Sequence, residues 1–299
     1  MTDDKIIDIA DSVVSLNVRL ANLVIDCGDE IGKTMVPLNE VAALVLSNPH
    51  VIMTNAAIAG IAASGGIVVV TDSKFQPAGM LLPLDSHYTQ GERFRMQAAV
   101  ALPVQKRIWQ QIVRSKIQAQ AAVLKRLTNH DGGLPHLSSR VTSGDTGNHE
   151  AQAAQRYWPA VFNNPHFRRN REAPDQNRLL NYGYAILRAL TARTICGVGL
   201  HPTLGVHHHN RYDPFALASD LMEPFRPLVD EAVARIVFEQ GDGVPLGKDV
   251  KKSLISGITG LIEVDGETRT IFSILAKSAS SLVAVYSGEK KKLFCRSGK

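Results

Sequence analysis

Three short stretches hold the residue types with chemistry to offer. Glu150 stands in Gly147-Asn148-His149-Glu150-Ala151. His207, His208 and His209 follow one another in a glycine- and proline-rich stretch. Asp220 and Glu223 lie three apart in Ser219-Asp220-Leu221-Met222-Glu223-Pro224-Phe225-Arg226-Pro227. Imidazoles suit Mn, Zn, Fe and Ni, and carboxylates complete such a donor set. Each stretch also has an ordinary reading. A glutamate in a first helical turn complements the helix dipole. Three successive histidines point in different directions, so at most two could reach one metal. Asp220 and Glu223 share a helical face flanked by Leu217, Leu221, Met222 and Phe225. Carboxylates on an apolar face are costly unless they are paired or metal-bound.

Other chemistries lack their signatures. The chain has no GxxxxGK[ST], GxGxxG after a strand, GxSxG, HExxH or CxxC. That disfavours nucleotide-driven motors, dinucleotide oxidoreductases, serine hydrolases and common zinc proteases. At 299 residues with 44% hydrophobic content, the chain can bury a sizeable core. The cysteines Cys27, Cys196 and Cys295 fit a reducing, cytoplasmic setting. No secretory signal opens the sequence, and the longest apolar tract, 51–70, is broken by Asn55, Ser64, Gly65 and Gly66, so no membrane span is expected.

Charge divides the chain. Residues 1–90 carry a net −6 and residues 91–299 a net +11. Between Glu92 and Asp131 there are eight Lys or Arg and no acid. Arg107, Gln111, Arg114, Gln118 and Lys125 share one helical face, either a solvated surface or a stripe for phosphates. The basic tail includes Lys290, Lys291, Lys292, Arg296 and Lys299.

The elements that must carry these residues follow from periodicity. Short β-branched runs at 13–20, 23–25, 51–54 and 67–70 read as strands, with helices over 38–46 and 56–64. Past residue 90 the helical period dominates. Helices are expected from Pro103 to about 127, over 148–162 and over 177–196, the last ending at Gly197. Asp213-Pro214 should begin a helix over 214–238, kinked at Pro224 and Pro227, and another should cover 248–263. Within 177–196 a polar stripe of Asn177, Asn181, Tyr184 and Arg188 crosses an otherwise apolar helix and needs partners. Those partners could be neighbouring helices, or the stripe could support a metal site.

Taken in order, these motifs resemble one family. They are Trp109-Gln110-Gln111-Ile112-Val113 with Lys116-Ile117-Gln118-Ala119-Gln120, Gly144-Asp145 with Glu150-Ala151, and Tyr157-Trp158. After them come Asp175, Asn177, Leu180-Asn181-Tyr182-Gly183-Tyr184-Ala185, Gly199-Leu200-His201-Pro202, His207-His208, and the run from Phe215 through Pro227. The chain resembles the CRISPR-associated adaptation integrases, most of all the form that accompanies a single-protein effector nuclease (type II).

That resemblance implies an α+β protein: a small N-terminal β-rich domain over 1–88 and a larger all-α catalytic domain over 89–299. It implies one Mg²⁺ or Mn²⁺ on Glu150, His208 and Glu223, with His207 and His209 as alternatives to His208. Asn177, Asn181, Tyr184 and Asp220 become supporting residues. Arg107, Arg114, Lys116 and Lys125 become candidate DNA contacts. The implied activity is insertion of a short duplex, the prespacer, into a CRISPR repeat by 3′-hydroxyl attack on a phosphodiester. The implied partners are double-stranded DNA, a second copy of the chain in a homodimer, and a small ferredoxin-like protein completing a heterohexamer. The type II effector nuclease is a further candidate partner. The acidic N-terminal domain suits protein contacts, since it repels DNA. Rival readings are a DNA endonuclease without integrase activity, a non-catalytic DNA-bridging protein, and a small-molecule metal phosphohydrolase.

Overall fold

The computed structural model describes all residues except 1–3, 11–14, 29–31, 73–76, 84–86, 265 and 296–299. Arg296 and Lys299 of the basic tail therefore lie outside the described residues.

Among the described residues the N-terminal part holds eight strands: β1 (Lys5–Ile9), β2 (Ser15–Arg19), β3 (Asn22–Asp26), β4 (Lys33–Pro37), β5 (Val41–Leu46), β6 (Ile52–Met53), β7 (Ile67–Thr71) and β8 (Pro77–Leu81). One helix, α1 (Asn55–Ala63), lies among them, with Thr54 Oγ1 accepting the Ala57 N–H at its start. The strands form two four-stranded sheets, ordered β1-β5-β7-β8 and β4-β3-β2-β6. In the first sheet β5 runs parallel to both β1 and β7.

The helical reading of 38–46 fails. Only a short 3₁₀ turn over Leu38–Glu40 precedes strand β5. Val41 through Val45 are buried on both faces of the sheet, so this strand shows a continuous apolar run rather than alternation. A buried central strand and a short helix look alike by hydrophobicity alone.

The remainder is mostly helical: α2 (Gln90–Ala98), α3 (Leu102–Thr128), α4 (Leu134–Arg140), α5 (His149–Val161), α6 (Asn177–Gly197), α7 (Ala216–Leu221), α8 (Arg226–Gln240), α9 (Lys248–Thr259) and α10 (Ile271–Tyr286). A two-stranded hairpin, β9 (Ile262–Val264) with β10 (Glu267–Arg269), sits between α9 and α10, so this part is not purely helical. Helix α6 runs through the centre and is buried on nearly every side. Gly183 lets α8 approach it: a Cβ there would lie 2.4 Å from Val229 Cγ1. The core of the helices is continuous with one face of the first sheet through Ala43, Val45, Ile67 and Val69.

Two helix ends differ from expectation. Gly197 remains inside α6, and Gly199 takes the left-handed conformation (φ +69°) beyond it. The expected helix over 214–238 is broken rather than kinked. Asp213 Oδ1 accepts the Phe215 N–H, α7 starts at Ala216, and a 3₁₀ turn over Glu223–Phe225 separates α7 from α8. The proline rings at 224 and 227 cannot supply the N–H groups a continuous helix needs. This break brings Glu223 to a corner between two helices.

Candidate active site

Four elements meet at the corner: α3, the start of α5, the loop before α7, and the 3₁₀ turn. Asp145 fixes the start of α5. Its Oδ2 accepts the Glu150 N–H at 3.0 Å, and its Oδ1 accepts the His149 N–H at 3.0 Å. The Glu150 carboxylate then points at α3, where the Lys116 ammonium donates to its Oε1 at 2.6 Å. The same ammonium lies 2.6 Å from Glu223 Oε2. Glu150 and Glu223, far apart in sequence, thus converge on one positive charge.

Glu223 is almost wholly buried, with its side chain 4% exposed. Arg226 pairs with its Oε1 at 2.5 Å. Burial pushes the Glu223 carboxyl up, but Arg226 and Lys116 outweigh burial and hold it at about 2. Burial also works against the Lys116 ammonium, yet Glu223 and Glu150 keep its pKa above the usual lysine value. Oε2 of Glu223 faces the Lys116 ammonium.

His208 is arranged differently. Asp220, fully buried, accepts the backbone N–H of Val206 at 2.6 Å and of His207 at 2.8 Å on Oδ2. Its Oδ1 takes a short hydrogen bond from His208 Nδ1. The carboxylate therefore selects the Nδ1–H tautomer and leaves Nε2 as an acceptor. The hydrogen bond to Asp220 raises the His208 pKa, against burial. Gly205 makes this packing possible, because a Cβ there would come within 2.4 Å of the His208 carbonyl oxygen. His207 is turned away: its ring stacks on Trp109 at 4.1 Å and 5°.

His208 and Glu223 line the same cavity of about 220 Å³, together with Arg169, Arg171, Arg188 and Arg226. Among the described residues, however, no three acid, imidazole or thiol groups are close enough together to hold a metal ion. The donor chemistry nonetheless fits a divalent cation. Two carboxylates already share one cation between them, and an imidazole with an acceptor nitrogen opens on the cavity that Glu223 lines.

The polar stripe on α6 finds internal partners. Asn177 and Asn181 accept from the Arg169 guanidinium at 2.8 and 2.5 Å. Tyr184 donates to the buried Asp230, and its ring carries Arg226 at 4.1 Å. Tyr157 donates to the other Asp230 oxygen at 3.0 Å. The Nε of Arg188 is buried without a hydrogen-bond partner among the described residues, beside the cavity.

The basic segment does not act as one stripe. Arg107, Gln118 and Lys125 are exposed. Arg114 is clasped to the Val141 carbonyl through Nε and Nη2 at 3.1 and 2.8 Å. Gln111 accepts the Leu293 N–H at 2.9 Å. Lys116 leaves the expected phosphate contacts and sits between the two glutamates. It falls on the buried face of α3 with Ile112, Val113, Ala119 and Gln120, and a lysine on that face was the signal available in the sequence. Arg226 was legible as the residue three beyond Glu223. Asp230 gave no signal, since its tyrosine partners come from other helices.

Comparison with known proteins adds to this geometry. The family described as CRISPR associated protein Cas1 matches residues 9–241. A CRISPR-associated endonuclease Cas1 from Neisseria meningitidis serogroup C is 36% identical over 252 residues, which is 83% of this chain and 82% of that protein. A second Cas1 endonuclease, from Pyrobaculum aerophilum, is 29% identical over 70% of this chain and 75% of its own length. Among solved structures, a casposase bound to its integration product superposes with a TM-score of 0.80 at 18% identity, over 97% of this chain and 92% of that one. A Cas1 protein from Thermotoga maritima superposes at 0.75 with 16% identity, over 95% and 97%.

Proposed function

The chain belongs to the Cas1 family of CRISPR-associated endonucleases, and from that premise we propose that it joins the 3′-hydroxyl ends of a short DNA duplex to a CRISPR repeat. The observation that carries this reading is the convergence of Glu150 and Glu223 on a single cation position, next to His208.

In this reading Glu150, Glu223 and His208 would hold one Mg²⁺ or Mn²⁺. The metal supplies a Lewis acid for the scissile phosphate when bound. The protein's own part is positioning. Asp220 aims the imidazole, and Asp145 sets the first turn that carries Glu150. Arg226, steadied on the Tyr184 ring, holds Glu223 ionised. Arg169, Arg171 and Arg188 offer a positive cavity wall for the transferring strand, where charge neutralisation and orientation supply most of the rate. Arg107 and Lys125 are exposed and would take duplex phosphates further out, giving salt-sensitive affinity. Water in place of the 3′-hydroxyl would make the same site a nuclease.

The partners follow by analogy. A neighbour of the same fold was solved as a Cas6-RT-Cas1–Cas2 complex, with a TM-score of 0.77 at 20% identity, over 99% of this chain and 36% of that one. This supports a small Cas2-type partner. A homodimer on each side of that partner would give a heterohexamer, with the acidic part over 1–88 making protein contacts and the part over 89–299 holding DNA. The type II effector nuclease is a candidate for prespacer delivery. No described helix is long and apolar enough to cross a membrane.

The test is strand transfer of an end-labelled duplex into a repeat-bearing supercoiled plasmid, with Mg²⁺, Mn²⁺ or chelator, and with and without the small partner. Metal-dependent, repeat-directed, partner-stimulated joining supports the proposal. Cutting without joining, indifferent to repeat and partner, leaves an endonuclease and removes the integrase reading.

A further inference from the structure

Lys116, expected at phosphates, sits instead between the two glutamates of the site. Its side chain is 13% exposed on the inner face of α3. Its ammonium touches Glu150 and Glu223 at 2.6 Å each. Two carboxylates brought this close without a cation between them would repel each other strongly in a partly buried site. Arg226 offsets part of that repulsion from the other oxygen of Glu223, but it is Lys116 that touches both carboxylates. A divalent metal shared by the same two carboxylates needs the space the ammonium fills. Both cations cannot occupy it, since they repel each other as well as collide.

We propose that Lys116 is an internal competitor for the metal: it bridges Glu150 and Glu223 when metal is absent, and the incoming divalent ion must expel it. This rests on the reading of Glu150 and Glu223 as metal ligands. The lysine keeps the two carboxylates together in the metal-free protein, so the site does not splay open. It also weakens the site for every cation, because each must first displace a paired charge. The result is a pair of carboxylates held together with a raised threshold for loading. The remaining helical turns of α3 are locked in the core by Ile112, Val113, Ile117 and Ala119, so only the flexible lysine stem needs to move.

The experiment measures Mn²⁺ binding by electron paramagnetic resonance on the full-length protein, without DNA. The proteins are wild type, Lys116→Met, Lys116→Arg and Glu223→Gln. Lys116→Met keeps the stem and removes the charge. It is expected to bind Mn²⁺ at least about tenfold more tightly than wild type. Lys116→Arg keeps the charge and is expected to stay near wild type or weaker. In chelator, Lys116→Met is expected to melt below wild type, and saturating Mn²⁺ is expected to raise its melting temperature by more than it raises the wild type's. That rescue also shows the variant is folded. Unchanged or weaker Mn²⁺ binding by Lys116→Met, with Glu223→Gln losing it, overturns the role of Lys116 and leaves the metal site standing. If Glu223→Gln binds as wild type does, the metal site falls and the competitor role falls with it.

Discussion

Asp220 accepts a hydrogen bond from His208 Nδ1 and, on its other oxygen, from the backbone N–H groups of Val206 and His207. One buried carboxylate therefore sets both the path of the histidine loop and the tautomer of its imidazole. Asp220→Asn exchanges one accepting oxygen for a donor and cannot serve both tasks. Its expected cost is about 2 kcal/mol of stability, from stranded buried donors. Mn²⁺ affinity should also fall roughly 10–100-fold, as when an orienting partner of a metal-bound histidine is lost. Urea unfolding in chelator and a Mn²⁺ titration measure the two effects. A variant with normal metal affinity would show that Asp220 serves only the loop.

Two of the three successive histidines separate by environment. His207 stacks on Trp109, while His208 lines the cavity with Glu223. His208→Ala should lose most Mn²⁺ binding and strand transfer. His207→Ala should keep metal affinity and lose about 1 kcal/mol of stability, the scale of an aromatic pair. Parallel titrations of the two variants decide it, and equal losses would contradict the assignment of His208.

Asp230 gives a pH signature. Burial pushes its carboxyl up to about 6, although Tyr184, Arg226 and Tyr157 all favour the ionised form. The folded pKa lies above the ordinary value of 3.8, so the folded chain binds this proton more tightly than the unfolded chain. The stability it contributes is complete below about pH 4 and is lost as pH rises through about 6. Asp230→Asn removes that dependence. The stability of wild type relative to the variant should therefore drop by on the order of 3 kcal/mol from pH 4 to pH 7. Denaturant unfolding in chelator across that range measures it. Parallel curves would contradict the high pKa.

Gly205→Ala tests the close approach of the histidine loop to α7. A Cβ there would meet the His208 carbonyl oxygen at 2.4 Å and Ala216 Cβ at 3.0 Å. The backbone must shift, at a cost of about 2 kcal/mol, and His208 shifts with it. Reduced thermal stability together with weaker Mn²⁺ binding is the expected pair of results. Loss of stability with intact metal binding would uncouple the loop from the site.

Much of this site was legible in the sequence because its parts sit in local motifs. Asp220 and Glu223 on an apolar face announced buried carboxylates, and the order of motifs selected Glu150 and His208. The long helices over 102–128 and 177–197 follow from strong periodicity and their end signals. What stayed hidden depends on contacts across the chain. Strand β5 reads as a helix because burial on both faces erases alternation. The prolines at 224 and 227 read as kinks, although they end one helix and start another. Lys116 reads as a phosphate contact, although it shares a face of α3 with Ile112 and Val113, because the approach of Glu150 from α5 and Glu223 from the 3₁₀ turn depends on contacts across the chain. Asp230 depends on hydroxyls from two other helices and left no local trace.

The central claim is that Glu150, His208 and Glu223 hold one divalent ion. Anomalous diffraction from crystals grown with Mn²⁺ tests it most directly. The account predicts a single strong peak bonded to Glu150, Glu223 and His208 Nε2, with the Lys116 ammonium moved out from between the carboxylates. A peak elsewhere, or Lys116 still seated between Glu150 and Glu223 at saturating Mn²⁺, would contradict it.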